Sequence, residues 1–72
     1  MTNIEFRLFF ESLPDQEASV KEINGPIKST FAKECGIPLS YLKEMAIGKR
    51  TFTTVMISRI LPVMHKYGFQ GN

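Results

Sequence analysis

The stretch AKECGIPLSYLKEM, residues 32 to 45, constrains the fold more tightly than any other part of the chain. Runs spaced like short helices lie on both sides of Gly36-Ile37-Pro38, and three residues leave no room for a loop between them. Gly36 sits where such a turn needs a positive backbone dihedral, which other residues adopt only at a cost. The two helices must then pack on each other. Phe31 and Cys35, four apart, give the first an inner face, and Ala32 is small where the second crosses it. Ile37 plugs the turn into the core, while Leu42 and Met45, three apart, form the buried stripe of the second helix. Leu39, Ser40, Lys43 and Glu44 are left facing outward. Together these are the parts of a helix-turn-helix unit.

The remaining segments read as further helices around that unit. Phe6, Phe9, Phe10 and Leu13 recur at i, i+3, i+4 and i+7, and Thr2 stands three residues before Glu5 as a capping box, which predicts a helix over about residues 3 to 12. The competing pattern, Ile4, Phe6, Leu8 and Phe10 at period two, describes a short strand; the cap and the phenylalanine stripe favour the helix. Pro14 ends that element. Asp15 to Ile23 can form a second short helix with Val20 and Ile23 inward, stopped by Asn24-Gly25. Pro26 suits the first turn of the next helix, expected from Pro26 or Lys28 to Cys35. Beyond the motif, Met56, Ile57, Ile60, Leu61 and Met64 recur at helical spacing with Thr53 as the N-cap, and Pro62 predicts a break or a restart of that helix. RTFTTVMI is rich in β-branched residues, so a strand over about residues 51 to 60 is the alternative, with helix favoured. At 72 residues, with no internal repeat, low-complexity run or linker, the chain is expected to be a single all-α domain of four to five short helices, with the motif at about residues 28 to 47.

Composition narrows the function. The lone cysteine, Cys35, cannot form an internal disulfide, and with a lone histidine, His65, there is no ligand set for a structural metal. Cys35 reads as a small buried hydrophobe, His65 as a surface or partly buried residue, and Met45, Met56 and Met64 as core. No paired acid and base stands out, so neither an enzyme nor a cofactor nor a small-molecule substrate is expected. No apolar run approaches the ~18 residues that span a membrane, and Glu5 and Arg7 interrupt the apolar N-terminus, unlike a signal peptide; the expected location is the cytoplasm. Residues 1 to 24 hold five carboxylates against two cations, net −3, whereas residues 25 to 72 hold seven cations against two carboxylates, net +5. The motif lies in the basic part, and such asymmetry points toward a polyanion partner.

FAKECGIPLSYLKEMAIGKR resembles the helix-turn-helix of the lambda repressor and Cro-like family, through Ala32, Gly36, Ile37, Leu42, Met45 and Gly48-Lys49-Arg50 in register. The likeness covers about residues 28 to 50 closely and residues 53 to 68 loosely. It implies that the second helix of the motif enters the major groove of double-stranded DNA. By that resemblance Leu39, Ser40, Lys43 and Glu44 face bases, with Tyr41 at the edge toward the phosphates. Lys43 would donate to guanine O6 and N7, Glu44 would accept from cytosine N4, Ser40 would serve either, and Leu39 would touch a thymine methyl. Lys28, Ser29 and Thr30 match the phosphate-clamping positions at a helix start, and Lys49 and Arg50 would hold phosphates on the far side. Pro38 stands where the family usually has a capping Ser or Thr, and Ala46-Ile47 where it often has Glu-Asn, which predicts an exposed isoleucine. The resemblance implies a sequence-specific transcriptional regulator, a phage or mobile-element repressor or Cro-like protein. It would bind operator DNA as a homodimer at the nucleoid of a bacterial or phage-infected cell, with Val55 to Phe69 as the expected dimer surface. The alternatives are an antitoxin that also binds a protein through its acidic N-terminal part, and an interaction module that has lost contact with DNA.

Overall fold

Thr2 and Glu5 start the first helix in the computed structural model, which describes residues 1–15 and 26–71. The Thr2 hydroxyl accepts from the Glu5 amide at 3.1 Å, and Glu5 Oε1 accepts from the Thr2 amide at 2.8 Å. This reciprocal box satisfies two donors that a helix start leaves unpaired, and the two Thr2 hydrogen bonds hold the Glu5 carboxyl below its ordinary value. The helix, α1 (Asn3–Glu11), buries Phe6 and Phe10, and Leu13 just past its end is also buried. Ile4 and Leu8 are 68% and 67% exposed. A strand would have put them on the same face as Phe6 and Phe10, so their separation excludes the period-two pattern.

Pro14 stops α1, and its carbonyl accepts from the Lys28 amide at 2.9 Å. The end of α1 is thereby tied to the start of α2 (Lys28–Cys35). The helix expected over residues 15 to 23, with Val20, Ile23 and its stop at Asn24-Gly25, falls almost wholly outside the described residues. Pro26 is buried ahead of α2 rather than inside its first turn, and Ile27 occupies the N-cap without a side-chain hydrogen bond.

The turn that follows α2 has the geometry its residues require. Gly36 adopts φ 71° and ψ 29°. Its amide donates to the Lys33 carbonyl at 3.1 Å, and the Ile37 amide reaches back to the Ala32 carbonyl at 3.2 Å. These two bonds satisfy carbonyls that would otherwise be orphaned, and Ile37 lies buried with Ala32 beneath the turn. Pro38 then serves as N-cap of α3 (Leu39–Ala46), again with no side-chain cap. Arg59 Nη1 donates to the Gly36 carbonyl at 3.4 Å, bracing the turn from the last helix of the chain.

That last helix, α4 (Thr54–Lys66), is helical throughout, so the strand alternative over residues 51 to 60 does not hold. The Thr53 hydroxyl caps it by accepting from the Met56 amide at 3.2 Å. Ile60 and Met64, four apart, are both fully buried, and this packing outweighs the β-branched preference of the preceding residues. The break expected at Pro62 does not occur either, because the helix runs through it. Pro62 and Ser58 are both exposed, so water can reach the Ser58 carbonyl that loses its donor, while Ile60 and Met64 anchor the helix on both sides.

The described residues form four helices and no strand, an all-α fold. α1 packs on α3, and α2 packs on both α3 and α4. Their shared core holds Phe6, Phe10, Leu13, Phe31, Ala32, Cys35, Ile37, Leu42, Met45, Ala46, Ile60 and Met64. Phe9 and Phe10 meet Phe31 at ring separations of 5.6 and 6.3 Å, so the aromatic stripe of α1 is core. Glu34 accepts from the Lys66 ammonium and the Tyr67 hydroxyl, linking α2 to the end of α4. Among the described residues no helix is long and apolar enough to cross a membrane.

Candidate functional site

Every motif residue assigned to the core is where the pattern put it. Phe31, Ala32, Cys35, Ile37, Leu42 and Met45 are buried, and Gly36 takes the left-handed conformation. Burial and the adjacent Glu34 carboxylate push the Cys35 thiol up to about 12, so it stays protonated and acts as a small apolar side chain. With Leu42, Met45 and Ala46 turned inward, α3 presents Ser40 and Lys43 to solvent. Leu39 differs from the outward expectation, being half-buried and packed against the core. The reason is positional: it begins α3 immediately after the turn and shares the lining of a depression there with Ile37 and Pro38.

The end of α3 repeats the logic of the turn before it. Gly48 takes φ 84°, its amide donates to the Met45 carbonyl at 3.2 Å, and the Lys49 amide returns to the Glu44 carbonyl at 2.8 Å. The chain therefore doubles back, and Lys49 and Arg50 come to lie beside the last turns of α3. Lys49 is exposed. Arg50 lies over the Tyr41 ring, with its guanidinium carbon 3.7 Å from the ring centroid. Its Nε donates to Glu44 Oε1 at 3.0 Å, and Nη2 makes an ion pair with the same oxygen at 2.9 Å. Arg50 thus contacts both Tyr41, which the resemblance also placed toward the phosphates, and Glu44, which it placed toward the bases.

At the start of α2 the expected clamp divides. Ser29 and Thr30 are exposed in the first turn. Lys28 is turned inward, its side chain only 12% exposed, with Nζ donating to the Leu13 carbonyl at 2.6 Å and paired with Asp15 at 3.1 Å. Its ammonium also lies 5.5 Å from the Phe10 ring centroid. These contacts fasten α1 to α2, and the ammonium is not offered to solvent as a free phosphate clamp. Lys33, to which the sequence pattern gave no role, is exposed one turn further along α2. It lines a shallow depression at the turn with Ser29, Pro38 and Leu39.

Ile47 is 58% exposed, as the Ala46-Ile47 departure implied. It lines a second open depression with Lys43, Glu11 and Asp15. Among the described residues no group of three or more His, Cys, Asp or Glu side chains is placed to hold a metal ion. The exposed cations Lys33, Lys43, Lys49 and Arg50 belong to α2, α3 and the turn after α3, and Ser29, Thr30 and Ser40 are exposed on α2 and α3. Chemically they make up a set of donors suited to anionic oxygens and to acceptor atoms on base edges. No protein-family model, curated protein or solved structure matches the chain.

Proposed function

We propose that this chain binds double-stranded DNA through residues 38 to 50 and acts as a transcriptional regulator. The supporting observation is the presentation of α3: a fixed turn precedes it, its polar face is turned to solvent, and a second glycine turn brings Lys49 and Arg50 alongside. Lys43 and Ser40 are the base-reading side chains, since both are exposed at positions from which an α-helix in a major groove reaches base edges. Lys49, Arg50, Ser29 and Thr30 hold phosphates, and Lys33 joins them from the neighbouring turn of α2. Leu39, half-buried, contributes at most an apolar edge.

One such helix reads only a few base pairs, so a homodimer on two half-sites about one DNA turn apart is the working assembly. A phage or mobile-element repressor or Cro-like protein, acting at the nucleoid, is the biological setting that the motif resemblance favours. Selection of bound duplexes from a random pool tests this. The expected outcome is an enriched inverted repeat whose half-sites are centred about 10 base pairs apart; a pool that emerges unenriched would count against sequence-specific binding.

One observation favours a second reading, a protein-interaction module of the antitoxin kind. Ile47 is exposed beside Lys43, and Ile4 and Leu8 are exposed on α1. Contiguous exposed apolar surface is characteristic of protein contacts. Retention of a protein partner with no salt-sensitive retention of DNA would select this second reading.

A further inference from the structure

We infer that Glu44 is a positioning residue for Arg50 rather than a reader of bases, and that Tyr41, Glu44 and Arg50 form one pre-set unit for gripping a backbone phosphate. A guanidinium carries five N–H donors arranged in two forks. Glu44 Oε1 takes the side fork, accepting from Nε and lying 2.9 Å from Nη2. The end fork is left: both protons of Nη1 and the second proton of Nη2 have no hydrogen-bond partner among the described residues. That end has the spacing of two phosphate oxygens.

The Tyr41 ring restricts the guanidinium from one face at 3.7 Å, and Glu44 fixes its rotation within that plane. An unconstrained arginine loses much of its rotamer freedom when it grips a phosphate; this one has lost it beforehand. The arrangement also explains how a carboxylate is tolerated on a helix facing a polyanion, because the Arg50 charge sits directly on it. A phosphate is preferred over the acceptor pair of a guanine because Arg50 lies past the helix end, beyond Gly48, rather than on the outward face of α3 with Ser40 and Lys43. The unit was not legible as a motif, but Tyr41 and Glu44 are three apart on one helix, and the Gly48 turn returns the next cations to them.

This assignment rests on DNA binding by α3, and a double-mutant cycle separates the two. Duplex affinity is measured for the parent chain, Glu44→Ala, Arg50→Ala and the double variant, with site selection on the parent and both single variants. Both side chains are about 40% exposed, so the variants are expected to fold, and thermal melts identify any that do not. Removing Glu44 relieves repulsion from DNA in either background but loses positioning only where Arg50 is present. The expected result is that Glu44→Ala is about fivefold or more unfavourable in the parent background relative to its effect beside Arg50→Ala. Glu44→Gln, which keeps an acceptor for Nε, should recover part of that loss, and the selected base sequence should be unchanged in both single variants. The same factor in both backgrounds, or a changed base preference on removing Glu44, overturns the positioning role. A changed base preference on removing Arg50 identifies guanine as its partner and overturns the phosphate assignment. If the parent chain retains no duplex, the DNA-binding reading falls and takes this one with it.

Discussion

Replacing Gly36 by alanine isolates the contribution of the turn that sets the direction of α3. A Cβ added at Gly36 meets nothing within 4 Å, so the substitution creates no clash and removes no packing. The whole effect comes from the backbone, which holds φ 71°. An L-residue with a Cβ in the left-handed region costs about 1–2 kcal/mol, partly offset because alanine also restricts the unfolded chain. A net loss of about 1 kcal/mol lowers the melting temperature of a domain this size by about 4–8 °C. Urea denaturation should show a lower midpoint with an unchanged slope, since the surface exposed on unfolding is the same. Gly36→Asn should fall between the parent and Gly36→Ala, because asparagine enters the left-handed region more readily. Equal stability of the alanine variant would refute the reasoning, because the turn would then not require the conformation that separates α2 from α3.

Three other expectations follow from the same structure. Pro62→Ala should stabilise the domain by about 1–3 kcal/mol, since Pro62 is exposed within α4 and its replacement restores a donor to the Ser58 carbonyl; a thermal melt reads this directly, and a fall in melting temperature would contradict it. Hydrogen bonds from Lys66 and then Tyr67 hold the Glu34 carboxyl below the ordinary glutamate range. The stability they supply is therefore present above that range and lost as pH falls through the lowered value, so Glu34→Gln should flatten the acid side of a stability-against-pH curve. Cys35, buried with its thiol pushed up to about 12, should react with a disulfide reagent at neutral pH only on the timescale of unfolding, followed by absorbance.

The parts of this fold that local chemistry dictates were legible in the sequence. The Thr2–Glu5 box, the Gly36 turn and the inward pairs Phe31–Cys35 and Leu42–Met45 each depend on residues within a few positions of one another. The helix continues through Pro62 because Ile60 and Met64 hold α4 to the core on either side of it, whereas propensity describes a helix in isolation. The orientation of Lys28 depends on residues distant in sequence. Its ammonium turns inward because the Leu13 carbonyl and Asp15, from the other end of a long connection, arrive beside it. The pairing of Glu44 with Arg50 needs the reversal at Gly48, a feature visible as a glycine but not as a contact. Helical spacing alone turns Leu39 outward, whereas in the fold it packs against the core at the start of α3.

Duplex binding measured across a salt series tests the central claim most directly. If each chain of a homodimer neutralises three phosphates through Lys33, Lys49 and Arg50, the logarithm of affinity should fall against the logarithm of salt with a slope of about −5.4. Lys49→Ala combined with Arg50→Ala should bring that slope to about −1.8 and weaken binding on all sequences alike. A parent chain that fails to bind duplex at low salt, or a slope and affinity untouched by the paired substitution, would contradict the account.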